Sequence, residues 1–228
     1  MAGDGSIDIA RALEVDVEFD MSLQFWSYLV KKGAIPCPSE FIQPVPHMSF
    51  VIGEDNQAFL KKRHAAMSSH HCYHGQEYSE DHAKIAEWTP LIMEGRDPHQ
   101  KVAATRTITG TDVNYGALTS SLLAYLQKQE DFAVRFSQSV VDLERRADGG
   151  WRLFIKDEIT RARRIVNAKY VFLGAGGGAL PLLQKSGIPE SKGYAGFPVS
   201  GLWLRCGNPE VVDRHSAKVY GLAAKGSP

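Results

Sequence analysis

The stretch Lys169–Leu183, KYVFLGAGGGALPLL, constrains the fold of this chain more than any other feature of its sequence. The apolar residues Tyr170–Leu173 predict a β-strand, the glycines after them predict a tight turn, and Ala179–Leu183 has the pattern of a helix. A strand that ends in glycines before a helix is typical of α/β proteins, where it brings the backbone close to phosphate groups. The letters of Gly174–Ala179 also satisfy the G-x-G-x-x-G/A pattern of dinucleotide-binding proteins.

Two features around this turn argue against a complete dinucleotide-binding motif. In such a motif an acidic residue about 20 positions later ends the second strand and binds the ribose. Here that position falls in Gly193–Gly196, and the nearby Glu190 lies in the loop-like sequence SGIPESK. The turn also comes late, because residues 175–228 are too few for a complete nucleotide-binding domain. A nicotinamide-binding reductase that uses Gly174–Ala179 is therefore an alternative hypothesis and not the leading one.

The composition is that of a globular protein without net charge. The 228 residues include 26 Lys and Arg and 26 Asp and Glu, so electrostatics give no reason to expect a nucleic-acid partner. No apolar stretch approaches the ~20 residues that span a bilayer, and the N-terminus lacks the basic and apolar regions of a signal peptide. Cys37, Cys72 and Cys206 are odd in number and widely spaced, which predicts reduced, structural thiols in a cytoplasmic protein.

The periodicity of the remaining chain predicts an α/β fold of mixed, α+β character. Helical patterns run over Ser6–Lys32, Glu54–Ser69, Ser79–Pro90 and Asp112–Leu126, with Ser6, Ser79 and Asp112 as expected N-caps. Extended segments are expected at Met48–Ile52, His71–Glu77, Val102–Ile108, Ala133–Phe136, Val140–Arg145, Trp151–Ile155, Arg163–Ala168 and Val199–Arg205.

A helix, a strand, a β-meander and a returning strand follow one another in residues 112–177. Their sequences are TDVNYGALTSSLLAYL, FAVRFSQSVVDLERRADGGWRLFIK and AKYVFLGAG. This order resembles the amine- and hydroxyacid-oxidising flavoproteins typified by D-amino-acid oxidase, in which a later strand also ends in glycines beside the flavin. The resemblance implies a partial FAD-binding domain together with a partial antiparallel-sheet substrate domain.

Longer strings make the resemblance more specific. FIQPVPHMSFVIGEDNQAFLKKRHAAM, YSEDHAKIAEWTPLIMEGRDPHQKVAATRTITGTDVNYGALT, YVFLGAGGGALPLLQKSGIPE and YAGFPVSGLWL together resemble the malate:quinone oxidoreductase family over residues 3–226. The resemblance implies FAD-dependent oxidation of (S)-malate to oxaloacetate in the tricarboxylic acid cycle, with electrons passed to a membrane quinone. It also implies a cytoplasmic protein that is peripherally associated with the inner face of the cell membrane.

The resemblance further implies that this chain is an internal fragment. The family begins with a strand that carries the G-x-G-x-x-G for the FAD pyrophosphate, and it extends beyond the end of this chain. The expected domain parts are a helical connector (1–34), part of the substrate domain (35–108), part of the FAD domain (109–186) and a return to the substrate domain (187–228). A non-catalytic α/β fragment that cannot hold FAD is a second alternative hypothesis.

The resemblance places the expected FAD contacts on five residues. Val140 in SQSVVDL matches a position whose backbone contacts the adenine end of FAD. Gly174, Ala175, Gly176 and Gly177 match the glycine turn beside the flavin and its ribityl chain. The alternative interpretations are a core β residue for Val140 and a turn that uses glycine for close packing.

Candidate substrate residues follow from the chemistry of malate, which requires two oriented carboxylates and an acceptor for the hydroxyl proton. Arginine matches a carboxylate with its planar fork, and Arg106 lies in a β-branched strand where burial without an anion would be unfavourable. Histidine titrates near neutrality, and His47 lies at the entry of a strand. We therefore predict His47 and Arg106 as catalytic residues and Arg106, Arg96, Ser49 and Tyr115 as substrate-binding residues. A structural ion pair for Arg106 and a structural hydrogen bond for His47 are the alternatives.

The sequence His70–His74, HHCYH, contains the side chains that zinc prefers. No second Cys/His pair follows at the spacing of a zinc finger, and His64 and His82 belong to other predicted elements. We therefore interpret this segment as a solvated loop and predict no metal site.

Overall fold

The computed structural model describes residues 7–196 and 201–222. These residues form two units by their internal packing. The first unit consists of residues 7–130 and 205–222, and the second unit consists of residues 131–196 and 201–204. The domain boundaries expected after residues 34, 108 and 186 do not coincide with this division and stay a prediction.

The described residues form helices and mostly antiparallel strands, which confirms the predicted mixed α/β class. The helices are α1 (Ile9–Lys31), α2 (Glu54–Met67), α3 (His82–Trp88), α4 (Pro90–Met93), α5 (Tyr115–Leu126), α6 (Ala179–Lys185) and α7 (Pro209–Val212). The strands are β1 (Ile42–Pro44), β2 (His47–Ile52), β3 (Glu77–Ser79), β4 (Val102–Thr107), β5 (Thr111–Val113), β6 (Gln138–Arg145), β7 (Trp151–Asp157), β8 (Arg163–Ala168) and β9 (Lys218–Tyr220). Short 3₁₀ turns lie at Pro38–Glu40, His71–Tyr73, Gly176–Gly178 and Pro189–Ser191.

A four-stranded sheet in the order β3–β4–β2–β9 organises the first unit. β4 pairs antiparallel with both β2 and β3, whereas β9 pairs parallel with β2. Side chains alternate between the two faces of each strand, so β2 and β4 contribute to two separate cores. One core lies on the side of α3 and α4, and the other lies on the side of α2.

Small residues at the centre of β4 allow helices to cover both faces of the sheet. Ala103 and Ala104 are fully buried, and each adds little bulk to its face. The core on the side of α3 and α4 contains Met48, Phe50, Ile85, Trp88, Met93, Val102, Ala104 and Ala217, and the core on the side of α2 contains Val51, Leu60 and Ala103.

Helix α1 is long, yet it buries none of its residues completely. It begins at Asp8, whose carboxylate accepts a hydrogen bond from a backbone amide one turn later; the predicted N-cap, Ser6, lies outside the described residues. Its Trp26 packs edge-to-face on Phe41, with 5.8 Å between ring centroids, and Leu118 of α5 joins the same cluster. A stripe on the far side of α1 exposes Val17, Met21, Phe25 and Tyr28.

The second unit is built on the antiparallel meander β6–β7–β8, as predicted. The predicted hairpin turn lies between β6 and β7, where Gly149 has a φ of +83° that favours glycine. Helix α6 packs on β6, and Lys185 Nζ donates a hydrogen bond to the carbonyl oxygen of Val141 at 2.6 Å. The pairing register of β6 shifts between Val140 and Asp142, which is the signature of a β-bulge.

The strand predicted at Tyr170–Leu173 is the largest difference between the sequence interpretation and the structure. β8 ends at Ala168, and the next residues have no regular secondary structure. Tyr170 and Phe172 expose 78% and 82% of their surface. A strand needs backbone partners on a neighbouring strand. Residues 170–173 therefore have the composition of a strand, but they pair with no strand among the described residues.

Four smaller predictions also differ from the structure. The strand expected at Ala133–Phe136 is absent, and His71–Glu77 begins with a 3₁₀ turn. Asp112 belongs to β5 instead of capping α5, because Asn114 Oδ1 accepts the hydrogen bond from the amide of Ala117. Residues 199–200 of the strand expected at Val199–Arg205 lie outside the described residues, and residues 201–205 are irregular.

None of the helices in residues 7–196 and 201–222 combines the length and hydropathy needed to cross a membrane.

Candidate active site

Polar side chains gather on one face of the four-stranded sheet, next to Val51 and Ala103, which pack with Leu60 of α2. The register places Thr107 opposite His47 and Thr105 opposite Ser49. On the other side of β2, Lys218 and Tyr220 lie beside the same two residues. Cross-strand partners share a face and their side chains touch. We call this set the polar face: His47, Ser49, Thr105, Thr107, Lys218 and Tyr220.

A hydrogen bond to the backbone defines the tautomer of the neutral His47 ring. Its Nε2 lies 2.9 Å from the carbonyl oxygen of Thr111, which can only accept a hydrogen bond. Nε2 therefore carries the hydrogen, and Nδ1 of the neutral ring is the basic nitrogen. The ring also packs edge-to-face near Tyr220, with 6.0 Å between centroids. In residues 7–196 and 201–222 no hydrogen-bond partner is found for Nδ1, so its lone pair is available to a donor.

Charged side chains from two further elements surround His47. Lys218 of β9 forms an ion pair with Asp112 of β5. The hydrogen bond and charge of Lys218 lower the pKa of Asp112, and His47 contributes in the same direction. The carboxylate therefore stays ionised at neutral pH. Lys218 therefore places a positive charge beside His47. An anionic substrate can interact with this charge while Lys218 stays paired with Asp112.

A row of hydrogen bonds extends the polar face toward α2. The side-chain amide of Gln76 donates to Thr107 Oγ1 at 3.0 Å, and its oxygen lies 3.2 Å from His64 Nδ1. The His64 ring stacks on Tyr78, with 5.7 Å between centroids. Burial, and then the neighbouring Glu80 carboxylate, raise the pKa of Tyr78. Tyr78 therefore keeps its proton at neutral pH.

Arg106 lies on the opposite face of the sheet from His47. It is the β4 neighbour of Thr107, so its side chain leaves the other side of the strand. Its guanidinium lies 5.8 Å from the centroid of the Trp88 ring, in the core on the side of α3 and α4. Its Nη1 is 3.9 Å from the Glu77 carboxylate, which also pairs with Lys84 at 2.9 Å. Arg106 therefore has both an aromatic and an acidic partner within the protein.

Arg96 is also satisfied within the protein. Its guanidinium stacks on Phe50, 5.0 Å from the ring centroid, and donates to the carbonyl oxygen of Ile92 at 2.9 and 3.0 Å. It also contacts the Gln100 side chain. Phe50 belongs to the same core as Trp88, so both predicted arginines lie on one side of the sheet. The structure does not bring Arg106 and Arg96 together with His47 and Ser49.

Ser49, Tyr115 and Asp112, the remaining polar candidates, lie on three different elements. Ser49 lies within the polar face, half-buried beside Thr105. Tyr115 is the first residue of α5 and exposes 66% of its surface. Asp112, considered as a helix cap, instead contributes charge beside His47.

The expected cofactor residues all belong to the second unit. The backbone of Gly174–Gly177 is exposed, and Gly176 has a φ of +53° that favours glycine. A Cβ added to Gly176 or Gly177 would meet no atom of the described residues within 4 Å, so among them the turn leaves open space for a group packed against its backbone. Val140 precedes the β-bulge in β6 and exposes 37% of its surface. The sheet of this unit is antiparallel, which does not match the parallel βαβ arrangement of a nicotinamide-binding motif.

Sequence reasoning missed several members of the polar face and its extension. The period-two patterns of HMSFVI and VAATRT could have placed Thr105 and Thr107 with His47. No sequence signal pairs β9 with β2, because that contact joins segments far apart in the chain. The residues missed are Thr105, Thr107, Lys218, Tyr220, Gln76 and His64.

Comparison with known proteins identifies related sequences along the whole chain. A family model described as malate:quinone oxidoreductase matches residues 1–228. A protein from Bradyrhizobium diazoefficiens, named a probable malate:quinone oxidoreductase, is 60% identical over 225 residues, or 99% of this chain and 44% of the relative. A Pseudomonas aeruginosa protein, named probable malate:quinone oxidoreductase 2, is 55% identical over 227 residues, or 100% of this chain and 45% of the relative. The chain therefore spans less than half the length of these curated relatives.

One solved structure with a similar fold is the L-proline dehydrogenase from P. horikoshii. The two share a TM-score of 0.51 and 10% sequence identity, over 75% of this chain and 40% of that chain. At this identity the likeness concerns the fold alone.

A change at Gly110 tests whether the His47 geometry depends on its packing. In Gly110→Ala the new Cβ would lie 2.5 Å from both the His47 ring and the Val45 carbonyl oxygen. We expect a loss of about 1–3 kcal/mol in the free energy of unfolding, as for other overpacked sites, together with a shifted His47 imidazole resonance in NMR spectra. Gly207→Ala is the matched control, because its Cβ would meet no atom within 4 Å. Equal stability of the two variants, with an unchanged His47 resonance, would contradict the described packing.

Proposed function

The chain belongs to the malate:quinone oxidoreductase family, and we propose that it forms part of an FAD-dependent enzyme that oxidises (S)-malate to oxaloacetate and reduces a quinone. The observation that carries the proposal is the family match over residues 1–228, joined by 60% identity to a curated relative. Because the chain covers only 44% of that relative, the proposal concerns a protein of the relative's length.

The reaction fixes what the protein must supply. Oxidation of the secondary alcohol of malate removes a hydride from C2 and a proton from the hydroxyl group. The two electrons and two protons that malate loses balance those that convert a quinone to a quinol. Bound FAD supplies the acceptor for the hydride. The protein must orient two carboxylates, accept the hydroxyl proton and exclude water.

The polar face supports these protein roles best. His47 has its Nε2 engaged by the Thr111 carbonyl, which leaves Nδ1 as the base for the malate hydroxyl. Lys218 lies beside His47 and can attract one malate carboxylate. Ser49 and Thr107 add hydroxyl donors on the same face. His47 and Ser49 are thus the predicted site residues that this arrangement supports.

Arg106 and Arg96 stay predicted carboxylate ligands, but the geometry favours structural roles. Each stacks on an aromatic ring of the core on the side of α3 and α4. A substrate that contacts Nδ1 of His47 lies on the opposite face of the sheet. Arg106→Ala separates the two roles, because loss of a clamp raises KM for malate, whereas loss of stacking on Trp88 lowers the free energy of unfolding.

The glycine turn fits the proposed FAD role. Gly174, Ala175, Gly176 and Gly177 are exposed, and no side chain of the part of the chain that the structure describes fills the space beside the last two. This openness allows a flat or phosphate-bearing group to lie against the backbone. Val140 and the β-bulge after it would contribute a backbone contact to the adenine end. Tyr115 stays a predicted substrate ligand without further support.

The quinone in the reaction implies a place in the cell for the proposed enzyme. Quinones dissolve in the membrane, so an enzyme that reduces one must contact the membrane surface. We therefore place the enzyme in the cytoplasm, peripherally associated with the inner face of the cell membrane and active in the tricarboxylic acid cycle. This part of the proposal rests on the family alone.

A hybrid enzyme tests the function directly. The 225-residue segment of the Bradyrhizobium diazoefficiens relative that aligns with this chain is replaced by the chain itself. We expect purified hybrid to bind FAD, to lose its flavin absorbance on addition of (S)-malate, and to reduce a soluble quinone analogue. The unmodified relative is the positive control, and (R)-malate is the negative substrate. A folded, flavin-loaded hybrid that ignores malate while the relative responds would refute the substrate assignment; a folded hybrid without flavin would support a non-catalytic segment.

In the hybrid, His47→Gln should lower kcat/KM for malate by about 10²–10⁴-fold, the contribution typical of a general base. Glutamine has a side chain of similar size, but its amide cannot take the proton. His99→Gln, which changes an exposed histidine of the same unit, should leave kcat/KM unchanged. Steady-state kinetics and flavin content give the two readouts. A loss below fivefold, with normal flavin content, would remove His47 from the reaction.

A larger side chain at Gly177 tests the cofactor role of the glycine turn. In this chain Gly177→Leu should not affect stability by more than about 0.5 kcal/mol, because nothing lies within 4 Å of the added Cβ. In the hybrid the same side chain would occupy space proposed for FAD, and we expect at least tenfold weaker FAD binding. Gly207→Leu is the matched control at another open glycine. Unchanged FAD affinity in Gly177→Leu would place the flavin elsewhere.

A further inference from the structure

A second group of reactive side chains lies in the first unit, where the 3₁₀ turn His71–Tyr73 contacts α1. His71 Nε2 is 2.8 Å from Asp20 Oδ2 and 3.0 Å from Cys72 Sγ. The three ligand atoms of Asp20, His71 and Cys72 all lie within 4.8 Å of one another. Asp20 is 51 residues earlier in the chain than His71. The sequence interpretation of His70–His74 as a solvated loop did not include Asp20, because this residue is distant in sequence.

The contacts do not form a Cys–His–Asp catalytic triad. In a triad the carboxylate binds one ring nitrogen and the nucleophile binds the other, so that the ring relays a proton. Here Asp20 and Cys72 both approach Nε2 of His71. One nitrogen holds at most one hydrogen, so it cannot satisfy both neighbours at once. The three atoms instead lie within 4.8 Å of one another, close enough for one metal ion to bind all of them.

Asp16 adds a second carboxylate, and a fourth candidate ligand, to this neighbourhood. It lies one helical turn before Asp20 on α1, so both side chains leave the same face of the helix. The Asp16 carboxylate contacts the hydroxyl group of Tyr73 and interacts electrostatically with His71 and Asp20. Its Oδ2 is buried and lacks a hydrogen-bond partner among the described residues. An unpaired buried carboxylate oxygen is unfavourable unless a cation or donor compensates it.

We propose that Asp20, His71 and Cys72 bind a Zn²⁺ ion, with Asp16 or a water molecule in the fourth position. One thiolate, one imidazole and carboxylate oxygen form a ligand set that zinc accepts. Tetrahedral zinc separates its ligand atoms by about 3.5 Å, so the present contacts need to open by less than about 1 Å. The Cys72 Sγ–H bond breaks as Sγ binds the metal, and its proton passes to solvent.

The ion would join two elements that are otherwise weakly connected. His71 and Asp20 expose 72% and 39% of their side chains, so their direct contact alone contributes little stability. Without a metal, burial and the charges of Asp16 and Asp20 raise the pKa of Cys72, and the thiol keeps its proton. A bound dication reverses that preference and fixes the turn to α1.

Metal titration of this chain, reduced and freed of metal by a chelator, tests the proposal. We expect one Zn²⁺ per chain by calorimetry and a rise in Tm at saturating Zn²⁺. Co²⁺ in place of Zn²⁺ should give the absorption of a thiolate-bound, tetrahedral ion. Asp20→Asn, His71→Ala and Cys72→Ser should each weaken the Zn²⁺ Kd at least about tenfold, a loss that even outer-shell partners of metal ligands cause.

Matched controls separate this site from scattered surface binding. Cys37→Ser and His74→Ala change exposed residues of the same types outside the cluster and should bind Zn²⁺ like the parent. In the parent chain, Zn²⁺ should also slow the reaction of Cys72 with a thiol reagent but not that of Cys37. The absence of saturable binding, or equal loss in Cys72→Ser and Cys37→Ser, would overturn the proposal. None of these measurements involves FAD, malate or quinone, so their outcome is independent of the proposed function.

Discussion

The alternation of side chains along β2 and β4 is the constraint on which the first unit depends. Successive residues of these strands must face opposite sides of the sheet, and both sides are covered by helices over part of their area. Ala103 and Ala104 keep the centre of β4 thin enough for this double packing. Beyond Val51 and Ala103, the same alternation leaves the polar side chains of His47, Ser49, Thr105 and Thr107 next to one another. The candidate site is thus the polar end of a face whose other end is apolar core.

This geometry also explains why the two predicted arginines and His47 lie on opposite faces of the sheet. The arginines stack on Trp88 and Phe50, which belong to the core on the side of α3 and α4. His47 meets Lys218 and Asp112, which come from two other strands. A histidine and a nearby lysine therefore meet on the polar face without the arginines that the sequence favoured. Residue type alone could not distinguish the two faces.

In the second unit, the apolar run Tyr170–Leu173 has a strong strand pattern but no partner strand among the described residues. The meander and the turn at Gly149 formed as predicted, since their hydrogen bonds join segments adjacent in sequence. The apolar run before Gly174 did not form a strand, because a strand requires a partner that the described residues do not provide. Two aromatic side chains of this run, Tyr170 and Phe172, are exposed.

The sequence by itself determined the periodic elements, the mixed α/β class and the family, because periodicity and long characteristic strings are local properties of a chain. It also identified His47 and Ser49 as polar residues entering a strand. Only the tertiary structure decided which residues meet. It paired β9 with β2, moved Arg106 to the opposite face from His47, and joined Asp20 of α1 to the turn at His71. These contacts join positions distant in sequence, where packing and register, rather than local preference, fix the arrangement.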